Sequence, residues 1–338
     1  MALTSNPTAF DRPSRRRFLR DFGSLASAGA FLAPWITPLA GCVSSHGASV
    51  PEVVWGQRGL SQGRLLKPRA IAIDPDDCLY IVDTTGRVQV FDADGNYLRG
   101  WKMPETEYGR PTGLSICRRP DLSLWLLVAD THYYRMLAYD LSGNLLAEER
   151  IGGIAGHGPG EFAFVTDAVC DSQGNFYIGE YGDSDRLQLF DPTGRFVCQW
   201  GGTGTGDGQF IRPQGLVIDA RDRLWVADAC NHRIQRFDLS QTPPSHLDTL
   251  GGQGTGLGQF RYPYDLAIAR DGTAIICEYG NQRLQRIDDQ GRGIACWGAP
   301  GDSPGQLRQP WGVVIDSENR IHVLDSNNHR VQRLQMFG

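Results

Sequence analysis

A chain of 338 residues can bury a large core, and its 42 glycines and 19 prolines point to many short elements joined by turns. Residues 1–41 carry a net charge of +3, so the formal total of −5 leaves −8 on the rest. An acidic body without a lysine- and arginine-rich stripe argues against nucleic acid, because phosphate binding needs a positive footprint.

The chain opens on a basic segment. Ser14-Arg15-Arg16-Arg17-Phe18-Leu19-Arg20 resembles the twin-arginine export signal, with Arg15 and Arg16 as the pair. A weakly apolar stretch from Phe22 to Leu39 follows, broken by Pro34 and Pro38, and is too short and interrupted for a transmembrane helix. It ends in Leu39-Ala40-Gly41-Cys42, which resembles a lipobox. That resemblance implies a signal peptide over 1–41, lipidation of Cys42 and a polar tether over 42–52. Val43 after the cysteine implies the outer membrane of a diderm host. The expected location is therefore periplasmic or extracytoplasmic, with a lipid anchor as the membrane attachment. A chance cysteine behind an ordinary cleavage site is the plainer alternative.

Seven cysteines remain after Cys42, an odd number without a CxxC spacing. The twin-arginine route implies folding before export, in a reducing compartment, so the fold should not depend on disulfides. Most of these cysteines fall in apolar runs and read as small buried hydrophobes. A disulfide formed late and a metal site stay open as alternatives.

From residue 53 onward one pattern repeats. Its clearest copy is Trp200 to Asp238: a glycine-rich connector, a proline, an apolar run, a polar turn, a second apolar run ending in a carboxylate, a loop, and a third run opened by arginine. The carboxylate recurs at Asp83, Asp130, Glu180, Asp228, Glu278 and Asp325, and the arginine at Arg87, Arg135, Arg186, Arg233, Arg283 and Arg330. A repeat of this length made of short apolar runs signals a solenoid or a propeller. In the fourth unit the strands are predicted at 215–219, 224–228, 233–238 and 245–250. Runs such as LWVAD and LYIVD are apolar throughout, as expected for a sheet covered on both faces.

Asn231-His232-Arg233 and Asn328-His329-Arg330, with the WGGxGxGxGQF connectors, resemble the NHL repeat. The resemblance implies an all-β, six-bladed β-propeller over 53–338, matching the six units found. The last unit lacks a fourth strand, and Val53-Val54-Trp55-Gly56 matches the fourth-strand ending at 198–202. This N-terminal strand should complete the last blade and close the ring, removing the open sheet edges. Antiparallel alternation then puts the connectors and the carboxylate-to-arginine loops on one face, where long loops favour function.

The recurrent carboxylate and arginine read as structural ion pairs. Units three and five depart from the pattern: they carry Glu180 and Glu278 in place of aspartate, and Asp167 and Asp265 where the others have glycine or alanine. These four carboxylates are expected near the channel mouth, where they would form an oxygen-rich site for a divalent cation such as Ca²⁺. Metals in related six-bladed propellers, the gluconolactonase-like enzymes and peptidyl-hydroxyglycine lyases, point the same way by resemblance. A solvated acidic mouth is the alternative. Arg69, Thr112, Thr166, Gln214, Tyr264 and Trp311 precede the same inner-strand position and would suit a small polar or aromatic ligand. No histidine occupies that position, against a lyase-type zinc site. Two functions follow: a monomeric envelope lipoprotein binding an envelope protein or small ligand through its loop face, or a metal-dependent lyase or lactone hydrolase at the mouth.

Overall fold

The computed structural model describes residues 50–338, which form six four-stranded antiparallel sheets. Arg15, Arg16, Cys42 and the tether as far as residue 49 lie outside the described residues. Blades one to five run consecutively over 68–102, 113–152, 164–201, 213–251 and 263–297. In blade four the strands are Pro213–Ile218, Arg223–Asp228, Arg233–Asp238 and Ser245–Gly251, within two residues of the expected limits. Blade six takes Val313–Ile315, Ile321–Asp325 and Arg330–Leu334 from the end of the chain, and its outer strand is Val53–Trp55.

The register of that closing pair is Val53 opposite Arg333, Val54 opposite Gln332 and Trp55 opposite Val331. Glu52 extends it by donating its N–H to the Arg333 carbonyl at 2.8 Å.

The apolar patterning explains the layering. Second strands such as Leu79–Asp83 and Ala274–Glu278 are buried at every position, whereas outer strands such as Tyr97–Lys102 alternate between half-buried and exposed. The core is therefore a ring of clusters between blades. One holds Val82 and Val90 of blade one against Leu126 and Val128 of blade two. The seam between the last blade and the first holds Leu324 and Val331 against Ile71, Leu79 and Phe91, with Trp55 packed beside them. First strands of successive blades pack against one another around the whole ring and so line the axis.

Two inner strands are also joined covalently. Cys117 of blade two and Cys170 of blade three form a disulfide, with Cα atoms 5.6 Å apart. This corrects the reading of both as buried thiols. Cys78, Cys198, Cys230 and Cys277 are thiols.

Candidate functional site

The carboxylate at the end of each second strand organises the loop face. Asp228 is fully buried; it accepts the Ile211 N–H at 2.8 Å, Arg233 Nε at 2.8 Å, Asn231 Nδ2 at 2.9 Å and Gln235 Nε2 at 3.1 Å. Arg233 then reaches into the glycine-rich connector and donates to the carbonyls of Thr205, Gly206 and Gln209 at 2.7–2.9 Å. The pairs Asp83–Arg87 and Asp325–Arg330 repeat this arrangement, and Asp130–Arg135 repeats its ion pair. Connectors and carboxylate-to-arginine loops therefore share one face. The glutamine two residues after the arginine completes the lattice, a role that its recurrence at Gln89, Gln188, Gln235, Gln285 and Gln332 could have disclosed.

Glu180 and Glu278 belong to this lattice rather than to the channel mouth. Glu180 is fully buried against Arg186 Nε at 2.5 Å and also accepts the Ala163 N–H and Gln188 Nε2. Glu278 accepts Arg283 Nε at 2.6 Å, the Arg261 N–H at 3.0 Å, Asn281 Nδ2 and Gln285 Nε2. The convergence of four carboxylates expected from the sequence is thus corrected: all of these oxygens already have partners, and the longer side chains do the work of aspartate. Among the described residues no group of three or more His, Cys, Asp or Glu is placed to hold a metal ion.

Asp167 and Asp265 do reach the axis. Both line a cavity at the loop-face end of the channel together with Arg69, Thr112, Thr166, Gln214, Tyr264 and Trp311, so all six mouth residues singled out in the sequence meet there. Each aspartate ties its own blade to the next. Asp167 accepts the N–H of Ala168 at 2.9 Å and of Leu216 at 3.0 Å; Asp265 accepts those of Leu266 at 2.8 Å and Val313 at 2.9 Å. Burial raises the Asp167 pKa well above the usual carboxylate range, with the charge of Asp265 adding to the effect. Burial likewise pushes Asp265 up to about 7. Beyond them the channel becomes apolar, a cavity of about 290 Å³ lined by residues such as Ile73, Ile116, Ile218, Ile268 and Ile315.

The histidines are accounted for locally. His232 Nδ1 accepts the Tyr262 N–H at 3.0 Å, and His329 Nδ1 accepts the Lys67 N–H at 2.9 Å, each linking a blade to the entry of the next. His322 is buried and bonds Asp316 at 2.9 Å.

The mouth contains more than the sequence suggested. Tyr279 stacks on Tyr264 at 4.5 Å, and Trp311 stands edge-on to Tyr264 at 5.1 Å. The Arg69 guanidinium lies 5.6 Å from the Trp311 ring centre, and that of Arg212 lies 4.8 Å from Tyr181 and 5.6 Å from Tyr264. Arg212, immediately before the inner-strand proline, and the tyrosines after the two glutamates were the available signals. Their convergence depends on the ring being closed.

The NHL repeat profile matches residues 210–237 and 307–334, which cover the first three strands of blades four and six. The fold is a six-bladed β-propeller carrying NHL repeats. NHL repeat-containing protein 3 of Mus musculus is 31% identical over 165 residues, 46% of either chain. The peptidylglycine alpha-amidating monooxygenase of Rattus norvegicus is 27% identical over 191 residues, 54% of this chain and 18% of that protein. The propeller thus spans under half the length of these curated relatives. Among solved structures, a protein of unknown function from Bacteroides thetaiotaomicron VPI-5482 superposes with a TM-score of 0.62 at 14% identity, over 85% of this chain and 76% of that one. Virginiamycin B lyase from Staphylococcus aureus gives 0.54 at 12% identity, over 80% and 95%. At these identities the structural likeness speaks for the fold alone.

Proposed function

We propose that this propeller is an exported envelope lipoprotein that binds a small ligand at the loop-face mouth of its channel. The twin-arginine segment and Cys42 supply the export and anchoring part of the reading. The binding part is carried by one observation: Arg69, Thr112, Thr166, Gln214, Tyr264 and Trp311, one from each blade, surround a single cavity. Convergent polar groups beside aromatic walls are what a small-ligand site requires. The name of virginiamycin B lyase raises a lyase reading, but the mouth favours binding. The Asp167 and Asp265 oxygens are engaged by backbone N–H groups, and the lining residues include no histidine or cysteine.

A thermal-shift screen of a broad panel of small polar and aromatic compounds tests this on the purified protein, beside Trp311→Ala and Gln214→Ala. The reading expects compounds that raise the wild-type melting temperature by several degrees and lose that effect in both variants. Stabilising compounds that act equally on the variants would place the site elsewhere. Turnover of lactones or peptidyl-hydroxyglycine would replace binding with catalysis.

A further inference from the structure

Every buried arginine among the described residues has a partner. Arg135, Arg186, Arg236, Arg283 and Arg333 each have a carboxylate within 4.0 Å. Arg119 lies on Trp125 and Phe176 and donates to the carbonyls of Gly174 and Pro192. Arg69 and Arg212, both half-buried, differ. Their guanidinium groups rest on aromatic faces, yet neither has a carboxylate or carbonyl acceptor among the described residues. Arg212 Nε is buried without any acceptor. Burial holds Arg69 below its ordinary pKa, Tyr181 opposes, and the charges of Arg110 and Arg212 push it further down. Two guanidinium groups without a hydrogen-bond acceptor of their own thus lie near one another at the mouth, with the nearby Asp185 carboxylate taken up by the Arg212 backbone N–H at 3.0 Å.

The neighbouring groups say what kind of anion would fit. Thr166 is 2% exposed, its hydroxyl has no partner, and it lines the same cavity. Stacking on Trp311, Tyr181 and Tyr264 occupies the flat faces of the guanidinium groups and leaves their N–H edges as donors. The cavity is small, about 20 Å³ or enough for one or two water-sized groups at its base, and it opens outward. A planar two-oxygen head needs less of that space than a tetrahedral phosphate and matches the arginine fork. Burial disfavours the charged forms of the aspartates beneath, which weakens their competition for the guanidinium groups.

We propose that the mouth receives the carboxylate of a small organic monoacid, whose body lies outward over Tyr181, Tyr279 and Trp311. This rests on the small-ligand reading above and gives it a chemical class. Arg69 and Arg212 are the anion-binding residues, with the Thr166 hydroxyl and Gln214 amide as further donors.

Isothermal titration with benzoate, acetate, benzyl alcohol and inorganic phosphate tests the proposal on the purified protein. Benzoate should bind, acetate more weakly, and benzyl alcohol and phosphate at least ten-fold more weakly than benzoate. Hydrogen bonds to charged groups contribute on the order of 1.5–3 kcal/mol, so Arg69→Met and Arg212→Met should each weaken benzoate about ten- to a hundred-fold. Arg221→Met, which removes an exposed charge from a short turn on the other face, should leave it unchanged. Benzoate affinity unaltered in both mouth variants, or phosphate binding as tightly as benzoate, would overturn the proposal. So would failure of every probe to bind. Benzyl alcohol binding as well as benzoate, with both lost in Tyr264→Ala, would overturn the carboxylate preference and leave the mouth a ligand site.

Discussion

At the scale of single residues, the two inner-strand aspartates carry the clearest conflict between local bonding and burial. Asp265 accepts two backbone N–H groups, which favour its charged form, but the loss of water around it dominates and pushes its pKa up to about 7. An unfolded aspartate titrates near 3.9. Because the folded value is the higher one, the contribution of Asp265 to stability is whole below about pH 4 and is lost as pH rises through 7. His232 and His329 have their pKa values lowered, chiefly by burial, and give the opposite slope below their unfolded value. The effect of Asp265 must therefore be read as a difference. Melting temperatures of wild type and Asp265→Asn, taken from pH 4.5 to 8, should show a wild-type advantage that shrinks as pH rises. A gap constant across the series would mean that Asp265 does not take up a proton on folding. The position of this residue was legible in the sequence because it broke the glycine/alanine pattern. Its bonds to the next blade were not, since they form between segments 48 residues apart.

At the scale of strands, the repeat exposed which segments pair, and side-chain direction decided what the repeat could not. Leu224–Asp228-type runs recur at nearly constant spacing, so the sheets could be drawn from the sequence. Where Glu180 and Glu278 point depends on which side of the strand end they leave, and period-two alternation makes one position enough to reverse it. The disulfide escaped for a related reason: Cys117 and Cys170 occupy near-equivalent places in adjacent inner strands, a neighbourhood that only ring geometry reveals. The same geometry explains the alternation of glycine and aspartate. A Cβ on Gly113 would lie 2.7 Å from Asp167 Oδ1 and 2.3 Å from the Thr166 carbonyl. On Gly215 it would lie 2.8 Å from Asp265 Oδ1 and 2.9 Å from the Tyr264 carbonyl. A blade followed by an aspartate-bearing blade thus needs glycine, and Ala70 is tolerated where the next blade offers Gly113. Gly215→Ala should cost about 1–3 kcal/mol through overpacking. Urea denaturation would read it as a lower midpoint with the slope preserved. An unchanged midpoint would show that the inner strands can separate without penalty.

At the scale of the whole molecule, stability depends on a seam between the first and last strands of the propeller. Val53–Trp55 is a strand of three residues, but it covers the edge of Arg330–Leu334 and brings Trp55 to within 4.7 Å of the Phe91 ring centre in blade one. Arg333 adds ion pairs to Glu52 at 3.4 Å and to Asp94 of blade one at 2.7 Å, so the last blade is fastened to both the first strand and the first blade. In the sequence this closure showed as a fourth strand missing at one end and supplied at the other. The partly buried strand contributes on the order of 3 kcal/mol at about 25 cal/mol per Å² of apolar area. In a domain of this size each kcal/mol moves the melting temperature by about 2 °C. Deleting Val53–Trp55 should then lower the melt by about 6 °C, and Trp55→Ala alone by roughly half of that. The deletion should also increase concentration-dependent self-association or aggregation, because the uncovered Arg330–Leu334 edge offers free N–H and C=O groups to a second copy. Scanning calorimetry with light scattering separates the two effects. A deletion variant that melts where wild type does and stays monomeric would mean that the ring is held by its blade-to-blade cores alone, with the first strand an ornament on its rim.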